Sequence, residues 1–323
     1  MTTLTERLGE PVCGMTWGWV GTRGTWATPD AAASMAAMAD HAVSWTAIAY
    51  AANQATAFST EIPFDAEPTV TDDEIVWAIR EAKRLGMKVV LKPVVNCADG
   101  TWRAHIGFFD RDVPNEPSWS DWFASYREFI LHSARIAEAE GVEMFCIGCE
   151  MVRADGQEVH WRRLVSEVRG VYSGLVTYNC DKYQEGHVTW WDAVDVISSS
   201  GYYPIDTWEA HLDRIERVVA ASGKPFLFME VGCPSRTGSA ELPNDWALPG
   251  AASGHEQLRY YRAMFEACST RPWVGGFVLW DWPAALYAVE DAAANDDYCP
   301  YGKPAGAYLR EVYTAMQKQG ASA

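Results

Sequence analysis

The chain is predicted to be an α/β protein, a single (β/α)8 TIM barrel, and three observations predict it. Eight short apolar runs rich in Val, Ile, Leu and Phe are spread along it. Amphipathic, helix-like segments lie between nearly all of them. No linker, low-complexity segment or charge block divides the 323 residues, a length that one α/β barrel fills. Such alternation implies parallel strands joined by right-handed crossovers. Eight repeats point to a closed barrel more than to an open sheet. Residues 1–323 therefore read as one catalytic domain, with 1–11 and 317–323 as peripheral tails.

Strand 1 is expected at 12–18 (VCGMTWG). The helix after it begins TPDAAASMAAMADH, where Thr28 caps and Pro29 takes the first helical position, whose N–H has no intrahelical partner. Strand 2 follows at 43–50 (VSWTAIAY). The next helix opens on Thr71 and Glu74, which have capping-box spacing, and closes on Gly86. Strand 3 (87–95, MKVVLKPVV) precedes a helix over 118–140, and strand 4 (142–149, VEMFCIGC) a helix over 158–170. Strands 5 (174–179, GLVTYN) and 6 (194–201, VDVISSSG) come next, then a helix over 208–222. Strand 7 (224–231, KPFLFMEV), a helix over 255–269, strand 8 (273–280, WVGGFVLW) and a helix over 304–318 complete the count. The loops at 96–117, 232–253 and 281–303 are long and rich in Gly, Pro, Asn and Asp. In this fold they sit at the C-terminal face, where active sites are built.

The formal net charge of −17 disfavours nucleic acid and anionic membranes, whose phosphates it would repel, but not a neutral sugar. The N-terminus lacks a basic segment followed by an apolar one, and no apolar run approaches the roughly 18 residues of a membrane span. Eight cysteines without a disulfide-like framework fit a reducing compartment, so the expected location is cytoplasmic. In CIGC, Cys146 and Cys149 are three apart, which in a regular strand sends the two thiols to opposite faces. The seven histidines show no HxxxH or HxH grouping, so neither a metal nor another cofactor is expected. Sixteen Trp, 14 Tyr and 11 Phe exceed what a core of this size needs. They are either extra packing mass or the lining of a cleft, where a ring offers an apolar body with a polar tip.

Two carboxylates stand out. MFCIGCEM runs six uncharged residues into Glu150, and KPFLFMEVGCPSR ends its apolar run on Glu230. An unpaired charge beside a core is costly. Glu150 follows strand 4 and Glu230 lies at the end of strand 7, so in a barrel both would project into one mouth. Two carboxylates across a cleft are what glycosidic-bond cleavage needs. One is protonated and donates to the leaving oxygen; the other is ionised and attacks the sugar carbon or activates water. Apolar surroundings and mutual repulsion push the two pKa values apart.

Glutamates on strands 4 and 7 are also the pattern of a large clan of retaining glycoside hydrolases. EMFCIGCEM, YNCDKYQE, VDVISSSGYYPID, EVGCPSRTGS, LWDWP and NDDYCPYGKPA resemble glycoside hydrolase family 113, over about residues 12–315. That family contains endo-β-1,4-mannanases and related mannan-active enzymes. The resemblance implies a β-mannan or manno-oligosaccharide substrate and double displacement with retention. It implies Glu150 as acid/base, Glu230 as nucleophile, Tyr202 as the hydrogen-bond donor to that nucleophile, and Trp280 as the platform under the sugar. One departure concerns Cys149, which stands where many clan members have the Asn that contacts the substrate 2-hydroxyl; a thiol is a poor hydrogen-bond partner. Asn96 and Asn179 are the candidates to replace it. Alternatives are an exo-acting β-mannosidase, a β-glycosidase on gluco- or xylo-oligosaccharides, a sugar-binding barrel without catalysis, and a metal- or phosphate-dependent barrel enzyme.

Further candidates for substrate binding carry a structural alternative each. Trp17 is a sugar platform or a lid over the barrel. Lys92, inside VVLKPVV, meets a substrate hydroxyl or a site carboxylate, or makes an internal salt bridge. Trp102 and Arg103 form a subsite wall or pin their loop. Asp181 binds sugar or caps a turn, and Asp281 binds sugar or holds the strand-8 loop. Asn295–Tyr298 lacks the ligand spacing of a calcium loop and reads as a turn.

Overall fold

The computed structural model describes residues 2–19 and 21–320. Eight parallel strands close into a barrel in chain order. They are β1 Val12–Trp17, β2 Trp45–Gln54, β3 Lys88–Cys97, β4 Met144–Cys149, β5 Leu175–Cys180, β6 Val196–Ser200, β7 Phe226–Val231 and β8 Val274–Trp282. The helices are α1 Leu4–Leu8, α2 Pro29–Ala39, α3 Asp72–Arg84, α4 Trp119–Ala139, α5 Glu158–Arg169, α6 Trp208–Ser222, α7 Gly254–Ser269 and α8 Pro304–Gly320. Between β5 and β6 the crossover is a loop with a single 3-10 turn at Trp191–Ala193. Both expected helix starts form as read: Thr28 Oγ1 accepts from the Ala31 N–H, and Thr71 and Glu74 make a reciprocal capping box. Among the described residues no helix is long and apolar enough to cross a membrane.

Three expectations need correction. Residues 4–8 are no loose tail: they form a helix capped by Thr3 and Glu6, and Leu4 is wholly buried. Leu4 plugs the N-terminal end of the barrel against Gly275, where an added Cβ would meet the Leu4 Cβ at 2.3 Å. The outer ends of the expected tails, Met1 and 321–323, lie outside the described residues. Second, β2 and β3 run on to Gln54 and Cys97 because they pair along their whole length, from Trp45 with Lys88 to Gln54 with Cys97. The polar Asn53 and Asn96 look like loop in one sequence, but a ladder partner keeps them extended. Third, most of the tryptophan is packing mass. Trp17, Trp26, Trp45, Trp122, Trp161, Trp190, Trp208 and Trp282 are fully buried.

The core has two shells. Val12, Trp45, Ala47, Val90, Met144, Cys146, Val196, Leu227, Met229 and Val278 fill the barrel interior above Leu4. The larger shell packs the outward strand faces against the helices and holds most rings, among them Trp161 stacked on Trp190 at 5.0 Å. Burial of a Phe-sized side chain contributes roughly 1.5–3 kcal/mol, so the outer shell fixes the helices firmly against the strands. That rigidity positions the polar groups above the interior layer.

Candidate active site

Glu150 owes its place to a break in β4. The pairing with β5 shifts register between Cys146 and Cys149. Ile147 faces the outer shell, while Cys146 belongs to the interior layer and Cys149 meets Glu230 across the barrel mouth. This corrects the expectation that the two thiols diverge, since a bulge adds one residue and restores the inward face. Gly148 permits it, because a Cβ there would come within 2.9 Å of Trp161 and of the Tyr126 hydroxyl. Glu150 itself has φ +52°, a region that non-glycine residues enter at a cost. The turn is held from below. The Met151 N–H donates to the Tyr178 hydroxyl at 3.0 Å, and that hydroxyl donates to Asp155. The Glu150 carboxyl accepts from Ser200 Oγ at 2.7 Å and from Arg103 Nη2 at 3.0 Å.

Glu230 sits deeper. Its Oε1 accepts from Lys92 Nζ and, at 3.2 Å, from Cys149 Sγ; its Oε2 accepts from the Tyr202 hydroxyl at 3.2 Å. Burial pushes its pKa up, but the charges of Lys92 and Arg103 and the bonds from Lys92 and Cys149 outweigh it and hold the carboxyl below its ordinary value. Burial, reinforced by the Glu230 charge, raises the Tyr202 phenol well above its ordinary pKa, so it stays a neutral donor. Lys92 is fully buried; burial lowers its pKa, but the ionised Glu230 that it bonds more than restores it, and it remains an ammonium. Oxygens of Glu150 and Glu230 and the Cys149 sulfur all lie within 4.8 Å of one another. A metal bound there would have to displace the Lys92 and Arg103 contacts that already balance these charges.

A cleft of about 380 Å³ opens over the pair, lined by Trp19, Trp102, Arg103, Glu150, Asp181, Lys182, Tyr202, Glu230, Asn244, Trp246 and Trp280. Such a volume, with rings and a few convergent polar groups, is that of a small-ligand site. Trp19 and Trp246 flank Trp280 at ring distances of 5.2 and 6.4 Å. The structure thus brings Glu150, Glu230, Tyr202, Trp102, Arg103, Asp181 and Trp280 to one surface. Burial, then the Glu150 charge, raises Asp181 to about 7. Lys92 lies behind Glu230 and does not line the cleft.

The other expected residues are placed differently. Trp17 points outward: its ring packs on Trp26 at 5.0 Å and its Nε1 donates to Ser34 Oγ at 3.4 Å. Strand alternation sends it there, and Trp19, two residues on, is the ring over the cleft. Asn179 is wholly buried, accepting from Lys92 and donating to Ser200 Oγ at 3.1 Å. Asn96 accepts from Arg103 Nη1 at 3.0 Å and does not line the cleft. Neither asparagine is among the residues that line the cleft. Cys149, read as a weak partner for substrate, is instead a donor to Glu230. Asp281 is half-buried and off the cleft wall. The Asn295–Tyr298 segment is a turn, with the Asp297 N–H donating to Asn295 Oδ1 and Lys303 Nζ donating to the same oxygen. Ser200, Lys182, Asn244 and Trp246 were not picked out in the sequence. The last two sit mid-loop, where no periodicity marks them.

The sequence profile of Glycoside Hydrolase Family 113 matches residues 15–303. A solved structure described as a GH113 β-1,4-mannanase shares 53% identity, covering 95% of this chain and 99% of that one, with a TM-score of 0.93. The GH113 β-mannanase AaManA from Alicyclobacillus acidocaldarius, in complex with ManMIm, shares 46% identity over 95% of this chain and 98% of that one, with a TM-score of 0.92. A Bifidobacterium dentium β-glucuronidase, at 15% identity and TM-score 0.62, covers 93% of this chain and 46% of that one; it shares the fold. No curated protein sequence matches.

Proposed function

This chain belongs to glycoside hydrolase family 113, and from that premise we propose that its barrel is one catalytic domain cleaving β-1,4-mannosidic bonds in mannan or manno-oligosaccharides with retention. The observation that carries the mechanism is the closeness of the two carboxylates. Their oxygens approach within 4.8 Å. Retaining enzymes separate the two groups by about 5–5.5 Å, whereas inverting ones leave roughly 6.5–9.5 Å for a water.

The donors assign the roles. Glu230 is held ionised by Lys92, Cys149 and Tyr202, as a nucleophile must be. Its Oε1 takes the bonds from Lys92 and Cys149, so Oε2, held by Tyr202 alone, is the oxygen freer to attack. In the first step Glu150 gives its proton to the glycosidic oxygen, the C–O bond breaks, and Glu230 bonds to the anomeric carbon. In the second, Glu150 takes a proton from water, which attacks that carbon and releases Glu230. Trp280, flanked by Trp19 and Trp246, gives the sugar an apolar face to stack on. Arg103 and Ser200 fix the Glu150 carboxyl.

The test is sugar release from manno-, cello- and xylo-oligosaccharides and soluble mannan by wild type, Glu150→Ala and Glu230→Ala, with azide added and the product anomer recorded. Cleavage of the manno-series, collapse of both variants, and a β-glycosyl azide from Glu150→Ala support the assignment. Sugar binding without any cleavage removes it.

A further inference from the structure

The loops after β2, β3 and β4 meet around a hollow of about 340 Å³ that shares no lining residue with the catalytic cleft. Phe58, Phe108, Phe109 and Pro117 give it apolar walls, and Glu116 and Arg153 stand among them. The backbone ties the three loops together: the Gly107 N–H donates to the Ala57 carbonyl and the Arg153 N–H to the Ala104 carbonyl, both at 3.3 Å. Arg153 lies close over Gly107, where an added Cβ would come within 2.8 Å of its Nε. Phe108 is anchored edge-on to Trp119 at 5.2 Å. Phe58 and Phe109 instead leave 64% and 61% of their surface exposed, and Val113 on the same loop is exposed as well. Scattered single apolar residues are ordinary on a surface, whereas apolar side chains gathered in one place mark a face that meets another molecule.

The two charges say which molecule. Glu116 and Arg153 are both exposed. Among the described residues, neither the Glu116 carboxylate nor the Arg153 guanidinium has a hydrogen bond or ion pair, with each other or with any other group. A partner that satisfies both must present a cation and an anion in reversed order. A second copy turned about a twofold axis does so: its Arg153 meets Glu116, its Glu116 meets Arg153, and the phenylalanines face each other between them. An apolar centre with a charged rim is the usual anatomy of such an interface. The lining side chains offer no neutral amide or hydroxyl with which to hold a sugar, and a net charge of −17 repels polyanions. We propose that the chain self-associates through this face into a twofold dimer, centred on Phe58 and Phe109 and registered by two reciprocal Glu116–Arg153 pairs. The proposal is independent of the mannan reading, since none of its residues lines the catalytic cleft.

Sedimentation equilibrium of the full chain tests it, at about 0.15 M salt, where screening over roughly 8 Å removes most of the repulsion between two acidic copies. Wild type should rise with concentration from 35.9 kDa towards twice that mass. Phe109→Ser should weaken association roughly tenfold or more, as the loss of a central aromatic does. Glu116→Arg and Arg153→Glu should each do the same, because each sets two like-charged pairs face to face. Mixing the Glu116→Arg chain with the Arg153→Glu chain restores both attractive pairs, so the mixture should dimerise about as wild type does while neither variant dimerises alone. All three side chains are exposed and off the cleft, so thermal unfolding and activity on a short manno-oligosaccharide should change little. Should one charge variant fail to fold, the chain carrying both Glu116→Arg and Arg153→Glu has the two pairs restored and gives the same readout. A mass of one chain up to about 1 mM, a dimer indifferent to all three substitutions, or a mixture that does not recover overturns the proposal. So does a monomer whose Phe109→Ser variant loses kcat/KM on long manno-oligosaccharides alone, since the hollow is then a carbohydrate surface.

Discussion

Glu230 and Glu150 share one cleft and have unlike surroundings. Glu230 is bonded on both oxygens by an ammonium, a thiol and a phenol, all buried with it. Glu150 follows the end of β4 on a left-handed residue, with a serine and an arginine at its carboxyl and Asp181 nearby on the cleft wall. The first niche fixes a charge state. The second fixes a position, with the carboxyl on the cleft wall. This division suits a nucleophile and an acid/base, which differ in whether the proton must move.

Removing each carboxyl makes the sharpest contrast. Glu230→Ala should lower kcat by about 10⁴-fold or more on every substrate, because the proposed first step forms its covalent bond to this carboxylate. Glu150→Ala should cost about 10²–10⁴-fold, the usual worth of general acid–base catalysis. Its deficit should shrink on an aryl mannoside whose leaving group needs no proton. Equal losses on aryl and natural substrates would erase the distinction between the niches.

Lys92→Met tests whether the charge state of Glu230 is imposed from behind. Breaking a buried ion pair from one side costs roughly 3–5 kcal/mol, readable by urea unfolding. The sign of the pH effect follows from the depressed pKa of Glu230. That group stabilises the wild type above its ordinary value of 4.5 and loses the contribution as pH falls through the folded value. In the variant the increment disappears, and the acid limb of kcat/KM moves to higher pH. An unmoved acid limb would mean that Lys92 is structural only.

Tyr202→Phe is milder. It deletes one neutral donor to an ionised carboxylate, about 1.5–3 kcal/mol, or roughly ten- to a hundredfold in kcat. The acid limb should rise less than in Lys92→Met. A larger shift than that from the lysine variant would reverse the ranking of charge over hydrogen bond proposed for this niche.

The two niches were unequally legible in sequence. VVLKPVV displays a lysine that an apolar run cannot leave unpaired, and alternation carries it inward. Glu230 is marked by ending an apolar run, but it has the parity of Phe226 and Phe228, which face the outer shell, and it meets the barrel mouth where β7 shifts register against both neighbours. On β4, alternation misleads as well. One bulged residue reverses the face of everything after it, so Cys149 was expected to diverge from Cys146 and instead meets Glu230. Trp17 failed the other way: alternation, followed strictly, already sends it outward. The barrel itself was readable because periodicity is local. Trp246, Asn244 and Ser200 were not, because their roles come from pairing and loop closure between distant segments.

The support beneath Glu150 gives an effect on stability rather than on turnover, and the one most specific to that niche. Asp155 is buried, with one oxygen on the Tyr178 hydroxyl and the other unpartnered, and burial raises it to about 8. In the unfolded chain it titrates near 3.8. The folded form therefore holds a proton that the unfolded form releases between these values. Stability from this group is complete below about 3.8 and is lost as pH rises to about 8. The slope is at most about 1.4 kcal/mol per pH unit for one proton. Asp155→Asn keeps an acceptor for Tyr178 and carries no charge, so it should flatten that slope. Urea unfolding at several pH values across this window decides it. Parallel curves for wild type and variant would show that Asp155 is already ionised, and that the turn bearing Glu150 is held by a carboxylate rather than by a neutral acid.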